Sequence, residues 1–440
     1  MLPSIFFQKR IVHSRLKIYV LDGVTRVPTR VEPVGGVPRS TRSGLSRLRT
    51  ETRSRRQQMT YQRIELPLPS PAPGVALHLT AHRFGHPDAG RSLYLQAGLH
   101  ADEHPGLLVL QHLLDELHAL DRDGRIAGAV TVVPYANPIG LSQRLFGPVV
   151  GRFDFENGEN FNRNFPLLER AVAQRLDAPD ARDLTRQGWK QFFRELLGTR
   201  SELTPAAAMK LALARLAVDH DIVLDLHCDT DAIAHVYAST LQRTRAETVA
   251  RMIGAPVVML EPHGTGGGAF DQTHSSAWGA LQQAGIFDEA QGGFSATIEL
   301  RGQADVDDAL ARRDARNLLR FAHAEGILSL PETGDDEARS DVAPAVLPLQ
   351  GAAHVRCPCA GVIAYRRAPG ERIAAGETFA EVVRLDGDGI NARMPVVSPI
   401  DGVMVVRQLQ KLVRPGQRAA LIAGDTVLAE RDPGNLLLDF

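Results

Sequence analysis

From about Tyr61 to Ile327 the chain alternates short apolar or β-branched runs with amphipathic segments, and this alternation restricts the fold more than any other feature. The clearest strand candidates are SLYLQAG (Ser92 to Gly98), AVTVVPYA (Ala129 to Ala136), DIVLDLH (Asp221 to His227), PVVML (Pro256 to Leu260) and SATIEL (Ser295 to Leu300). Between them, PGLLVLQHLLDELHAL and PAAAMKLALARLAVDH place apolar residues three and four positions apart, the period of a helix with one buried face. Largely apolar strands interleaved with such helices predict an α/β domain over residues 59–330, with a mixed, mainly parallel sheet flanked by helices. Ligands of such sheets bind outside the carboxyl ends of the strands, so chemistry is to be sought there.

The two ends of the chain read differently. An acidic, Pro-containing stretch, PETGDDEARSDVAPA, marks a linker over 331–345, and residues 346–440 are all-β in pattern. This region repeats itself: Gly361-Val362 matches Gly402-Val403, and Gly376 roughly matches Gly416. Two such copies resemble the halves of a biotinyl/lipoyl-like barrel-sandwich domain. Carrier domains of that kind present a Lys in the hairpin between the halves, whereas RLDGDGINARMP has none, so a structural or substrate-gating module is expected instead.

At the other end, residues 1–58 hold 13 Lys and Arg against 3 Asp and Glu, without hydrophobic periodicity, and are expected to be unfolded. Met59, which opens the first strand-like segment, is the expected true start, leaving the basic head without a nucleic-acid or membrane function. No apolar run approaches the roughly 18 residues of a membrane span, and SIFF is too short for a signal-peptide core. Three cysteines, Cys228, Cys357 and Cys359, cannot build a disulfide framework, which fits a cytoplasmic protein. The Cys-Pro-Cys pair lacks partners for a metal site.

His100 and Glu103 follow directly on the first of these strands. The pair recurs by chance, and Glu103 could as well cap the next helix. His227, at the end of another strand, strengthens the metal reading: a close pair from one loop and a distant His from a second strand end supply three ligands. Two His and one Glu leave a tetrahedral zinc one open position, the catalytic rather than the structural arrangement. Bound zinc lowers the pKa of water from about 15.7 toward about 7, although other divalent ions suit the same ligands. Proton transfer needs a further carboxylate. Glu299, near the carboxyl end of SATIEL, is the candidate general base; the plainer alternative is a strand-end Glu paired with Arg301.

In the polar, irregular segment GRFDFENGENFNRNFP, Arg163 flanked by Asn162 and Asn164 forms a fork suited to a substrate carboxylate. Arg152 or Arg144 would support the oxyanion, with Arg152 preferred. GTGGGAF (Gly264 to Phe270) reads as a loop near the site, with no helix start after it.

Taken in order, GLHADEHPG, ENFNRNFP, DLHCD and TIELRG resemble the succinylglutamate desuccinylase/aspartoacylase branch of the zinc carboxypeptidase-like hydrolases, over roughly Leu93 to Gly302. The resemblance implies one zinc ion per chain on His100, Glu103 and His227, Glu299 as general base, and Asn162-Arg163 on the substrate carboxylate. Arg152-Phe153 best matches the family's upstream Arg-aromatic pair, across a longer loop. The expected function is zinc-dependent hydrolysis of the amide of an N-acyl amino acid or similar small acylated amine, with oligomeric state left open. A zinc carboxypeptidase is the alternative, which an open groove would favour over a small closed pocket. A non-catalytic binding protein comes third.

Overall fold

The computed structural model describes residues 60–86, 88–265, 267–331, 343–429 and 431, so the basic head and most of the linker lie outside the described residues. The first part of the fold runs β1 (Gln62–Leu68), β2 (Leu77–Gly85), β3 (Ser92–Ala97), α1 (Pro105–Arg122), β4 (Ala129–Val133), α2 (Pro138–Ser142), α3 (Glu169–Leu176), α4 (Arg186–Gly198) and α5 (Pro205–Ala217). It continues through β5 (Ile222–Asp229), β6 (Asp231–Ala232), β7 (His235–Ser239), α6 (Arg243–Ile253), β8 (Val257–Glu261), α7 (Phe270–Gln283), β9 (Phe294–Gly302), α8 (Asp308–Ala324) and β10 (Ala345–Pro348).

Nine of these strands make one sheet in the order β1-β2-β4-β3-β5-β9-β7-β8-β10. The central pairs β4-β3, β3-β5 and β5-β9 are parallel, as are β7-β8 and β8-β10, while β1-β2, β2-β4 and β7-β9 are antiparallel. Side chains alternate across a strand, so a sheet covered on both faces needs apolar residues at every position. In β3, Leu93 and Leu95 pack with residues of α1, α6 and α8, whereas Tyr94 joins Met209 and Leu213 of α5 and Phe270 of α7 on the other face.

Two elements depart from the sequence expectation. Helix α7 begins at Phe270, directly after the Gly-rich loop, where no helix start was expected. Between Phe270 and the buried Ala277, Trp278 and Leu281 it buries Asp271, Gln272, Thr273, His274, Ser275 and Ser276, so polar residues interrupt the apolar stripe that announces a helix. Strand β10 lies at the expected boundary of the second unit yet pairs in parallel with β8, which makes it the last strand of the large sheet.

Beyond it come β11 (Ala352–Arg356), β12 (Gly361–Tyr365), β13 (Arg372–Ile373), β14 (Thr378–Val383), β15 (Arg393–Val397), β16 (Gly402–Arg407), β17 (Leu412–Val413) and β18 (Arg418–Ala423). They form two antiparallel sheets, β11-β18-β16-β13 and β15-β14-β12-β17, rather than a closed barrel. The internal repeat is structural: Gly376 and Gly416 take φ of +81° and +78° at equivalent turns, a conformation glycine adopts at little cost. Each half lends its short strand to the other, since β13 pairs with β16 and β17 with β12. This unit packs on the large-sheet one where β6 pairs with β16 and where Arg418 binds Asp229 at 3.1 Å through Nη1.

Three buried histidines set an acid limit on stability. His220, His235 and His274 are held neutral mainly by burial, with pKa values depressed to about 3, 4 and 3. A depressed histidine pKa means that the unfolded chain binds protons first as pH falls below about 6.5, so each group removes about 1.4 kcal/mol of stability per pH unit below that point. Unfolding free energy measured in urea is therefore expected to fall steadily from pH 6.5 to 5, and to fall less steeply in His274→Gln.

Candidate metal and active site

His100 and Glu103 occupy the turn between β3 and α1, and His227 lies in β5, the strand beside β3. All three are at most 4% exposed, and one potential ligand atom from each falls within 4.8 Å of the others. The imidazoles turn the same edge inward: Nδ1 of His100 stands 3.0 Å from Glu103 Oε1, and Nδ1 of His227 stands 2.8 Å from Glu103 Oε2. Their outer nitrogens are anchored, His100 Nε2 to Asn160 Oδ1 and His227 Nε2 to Asp225 Oδ2, both at 2.8 Å. Outer partners of this kind hold a ring's orientation and raise its basicity toward a cation. Glu103 Oε2 also accepts the Cys228 backbone N–H at 3.1 Å, and its side chain makes no helix-capping bond to α1.

The charge balance fits a cation. Burial acts to raise the Glu103 carboxyl, yet the two imidazoles outweigh it and hold it well below the usual carboxylate range. Burial opposes protonation of His227, but Asp225 and Glu103 outweigh burial and raise its pKa well above the ordinary value. Two buried carboxylates thus keep a proton on His227, and a divalent metal bound by the same atoms displaces such a proton. Two nitrogens and a carboxylate are also donors that suit zinc. Asp225 was missed in the sequence, although residues two apart on a strand share a face and the spacing to His227 was visible. Asp225→Asn is expected to weaken zinc affinity by about 10- to 100-fold, as competition with a chromogenic chelator would measure.

The other expected site residues divide. Arg152 reaches the pair, its Nη1 donating to Glu103 Oε1 at 3.1 Å and meeting His100 Nδ1 at 3.2 Å. The Arg152 loop lies so close to the metal-side turn that a Cβ on Gly151 would stand 2.6 Å from Ala101 Cβ, which only glycine avoids. Asn162 Nδ2 lies 3.4 Å from His227 Nε2, and its Oδ1 accepts the Phe270 N–H at 2.8 Å, tying the loop to the start of α7. Arg163 is buried beside it; burial first, and then Arg152, lowers its pKa to about 10.

Two residues are not brought in. Arg144 is exposed and donates to the Gly147 carbonyl at 3.0 Å, away from the cleft. Asn164 is exposed, takes φ of +60° and donates to Glu159 Oε1 at 3.0 Å, so it makes the turn after Arg163 instead of facing ligand. Asparagine is among the few residues that tolerate this backbone.

Glu299 sits in β9, opposite His227 in register. It does not pair with Arg301, which turns to Asp314 on α8, and Glu299 Oε2 is buried without a hydrogen-bond partner among the described residues. Burial, followed by the Glu103 charge, pushes its pKa up to about 8. His100, Glu103, Arg152, Asn162, Arg163, His227 and Glu299 all line one cleft enclosing about 580 Å³, its mouth included. Its wall also holds Asp229, Tyr237, Glu261 and Asp271, which the sequence did not single out. Their positions depend on β7, on α7 and on docking of the β unit, none of which a local pattern announces.

At adjoining strand ends of a mixed sheet the chain thus gathers a buried His-Glu-His group that could hold a metal ion and a glutamate whose Oε2 has no partner among the described residues. Residues 89–324 match the succinylglutamate desuccinylase/aspartoacylase catalytic domain, and the chain belongs to that family. It is 25% identical over 352 residues to the N-alpha-acetyl-L-2,4-diaminobutyric acid deacetylase of Halomonas elongata, covering 76% of this chain and 82% of the relative. The fold is similar to a Shewanella frigidimarina structure of the succinylglutamate desuccinylase/aspartoacylase type, with a TM-score of 0.71, 24% identity, and coverage of 83% of this chain and 98% of that one. It is also similar to the product-bound ectoine utilization protein EutE (DoeB) of Ruegeria pomeroyi, with a TM-score of 0.58, 16% identity, and coverage of 82% and 94%.

Proposed function

We propose that this protein is a zinc-dependent hydrolase that cleaves the amide of an N-acyl amino acid or similar small acylated amine, releasing a carboxylate and a free amine. The observation that carries the reading is the meeting, in one buried cleft, of the His100-Glu103-His227 group with a glutamate whose Oε2 has no partner among the described residues. The matched deacylase family and the Halomonas relative, named as a deacetylase of an N-acetylated amino acid, support it.

His100, Glu103 and His227 would hold the metal, which when bound acidifies water and polarises the scissile carbonyl. Glu299 takes the proton from the attacking water and delivers it to the departing nitrogen, so the amine leaves neutral. A base with a raised pKa suits this task because it can both accept and return a proton near neutral pH. Arg152 stands beside the ligand atoms, where it supports the oxygen that gains negative charge. Arg163, with Asn162 fixing its loop, grips the substrate carboxylate, and the surrounding side chains exclude water from the reacting atoms.

Arg418 of the β unit braces Asp229 in the wall of the cleft. Amine release from N-acetyl and N-succinyl amino acids, compared with release from tri- and tetrapeptides, tests the assignment. Turnover of the acyl amino acids is the expected result. Activity confined to peptides would replace this reading with a carboxypeptidase.

A further inference from the structure

The chemistry described above leaves one part of the cleft without a task. Glu261, at the end of β8, is 7% exposed and lines the cleft; its Oε1 accepts from Gln272 Nε2 at 2.6 Å, but Oε2 has no hydrogen-bond partner among the described residues. Asp271, in the first turn of α7, is 6% exposed and lines the same wall. Behind Glu261 lies a second, smaller cavity of about 300 Å³, which Glu261 also lines together with Glu169, Ser239, His263, Ser275 and Ser276. Its polar lining is acidic on balance, with Glu169 Oε2 at 3.9 Å from His263 Nε2.

We propose that Glu261, supported by Asp271, is a cation-recognising subsite, and that the substrate is an acylated diamino acid whose unacylated amine binds there as an ammonium group. This inference rests on the deacylase reading and deepens it. A buried carboxylate oxygen without a donor carries an uncompensated desolvation cost, which an entering N–H donor with positive charge removes. Arg163 supplies one positive charge near the two acids, leaving the wall one negative charge in excess when both are ionised. Burial and then Asp271 raise Glu261 to about 8, while burial and then Asp225 raise Asp271 to about 7, the behaviour of acids short of positive charge. A neutral side chain would leave that shortage in place, and an anionic one would be repelled. Arg163 and Glu261 together thus match a carboxylate and an ammonium on one small molecule.

The test compares kcat/KM of the zinc-loaded full chain for acetyl and succinyl derivatives of 2,4-diaminobutyrate and ornithine, acylated at either nitrogen, with those of the norvaline and glutamate derivatives. The diamino acid derivatives are expected to exceed the norvaline derivatives by about 10- to 1,000-fold, since a site built around a buried polar group rejects the analogue that lacks its partner. In Glu261→Gln, which can keep the Gln272 bond, the ratio of kcat/KM for the diamino acid derivatives to that for the norvaline derivatives is expected to fall to about one. Which isomer is cleaved identifies the amine that enters the subsite. Equal or better turnover of norvaline or glutamate derivatives by the wild-type protein overturns the subsite and leaves the deacylase intact. So does an equal loss on every substrate in Glu261→Gln. If nothing is cleaved, the deacylase reading fails, and calorimetric binding of ornithine against norvaline decides the subsite: tighter ornithine binding that is lost in Glu261→Gln supports it, and equal binding overturns it.

Discussion

Glu299→Gln is expected to lower kcat/KM by about 100- to 10,000-fold, the usual worth of a positioned general base, while zinc content remains that of the wild type. The substitution keeps the shape of the side chain and removes only its ability to hold the proton. Because Glu299 Oε2 has no partner among the described residues, the neutral amide also relieves a desolvation cost, and Tm should stay level or rise. A fall in activity with a gain in stability separates a catalytic carboxylate from a structural one. The pH profile gives an independent reading. The base must be deprotonated to act, so activity is lost as pH falls through its pKa, which is raised to about 8 by burial and Glu103; a bound cation moves that limb to lower pH. The limb should vanish in Glu299→Gln. A variant with wild-type kcat/KM and an unchanged profile would remove Glu299 from the mechanism.

His227→Ala is expected to have the second large effect. On the proposed assignment it deletes a ligand rather than a ligand's outer partner, so the loss of zinc affinity should exceed the about 10- to 100-fold expected for Asp225→Asn. Stability should suffer as well. His227 bridges Glu103 and Asp225 through bonds of 2.8 Å at either nitrogen, and its removal leaves two buried carboxylates without their shared positive partner. Breaking a buried charge pair in this way costs about 3–5 kcal/mol. Chemical denaturation of the metal-free variant measures that loss, and equilibrium dialysis measures the zinc. Retention of both would mean that the histidine serves neither purpose.

The sheet was legible in the sequence wherever strands were apolar at every position, as in PVVML, and wherever helices carried an apolar stripe, as in α1 and α5. Helix α7 was not, because the six residues after Phe270 are polar although buried, which interrupts the apolar stripe that Phe270, Ala277, Trp278 and Leu281 would otherwise show. The metal-side residues were legible for a related reason: His100, Glu103 and His227 close strand patterns, and strand ends are where an α/β sheet gathers chemistry. Arg144 and Asn164 bond within their own loops, to Gly147 and Glu159; sequence proximity to Arg152 and Arg163 does not say which way a loop side chain turns. Glu261, Asp271 and the Asp229-Arg418 contact escaped notice because each depends on long-range packing, the last of them across 189 positions of the chain. The doubled β pattern was plain from its repeated glycines, but the exchange of short strands between the halves was not, since it is a property of pairing and not of either segment alone.

The most direct measurement is a zinc titration of the metal-free full chain, with amine release from an N-acyl amino acid followed at each addition. Activity should rise linearly and stop at one zinc per chain, and His227→Ala should show neither the uptake nor the activity. Full activity without metal, or zinc uptake that His227→Ala leaves intact, would contradict a metal-dependent deacylase centred on His100, Glu103 and His227.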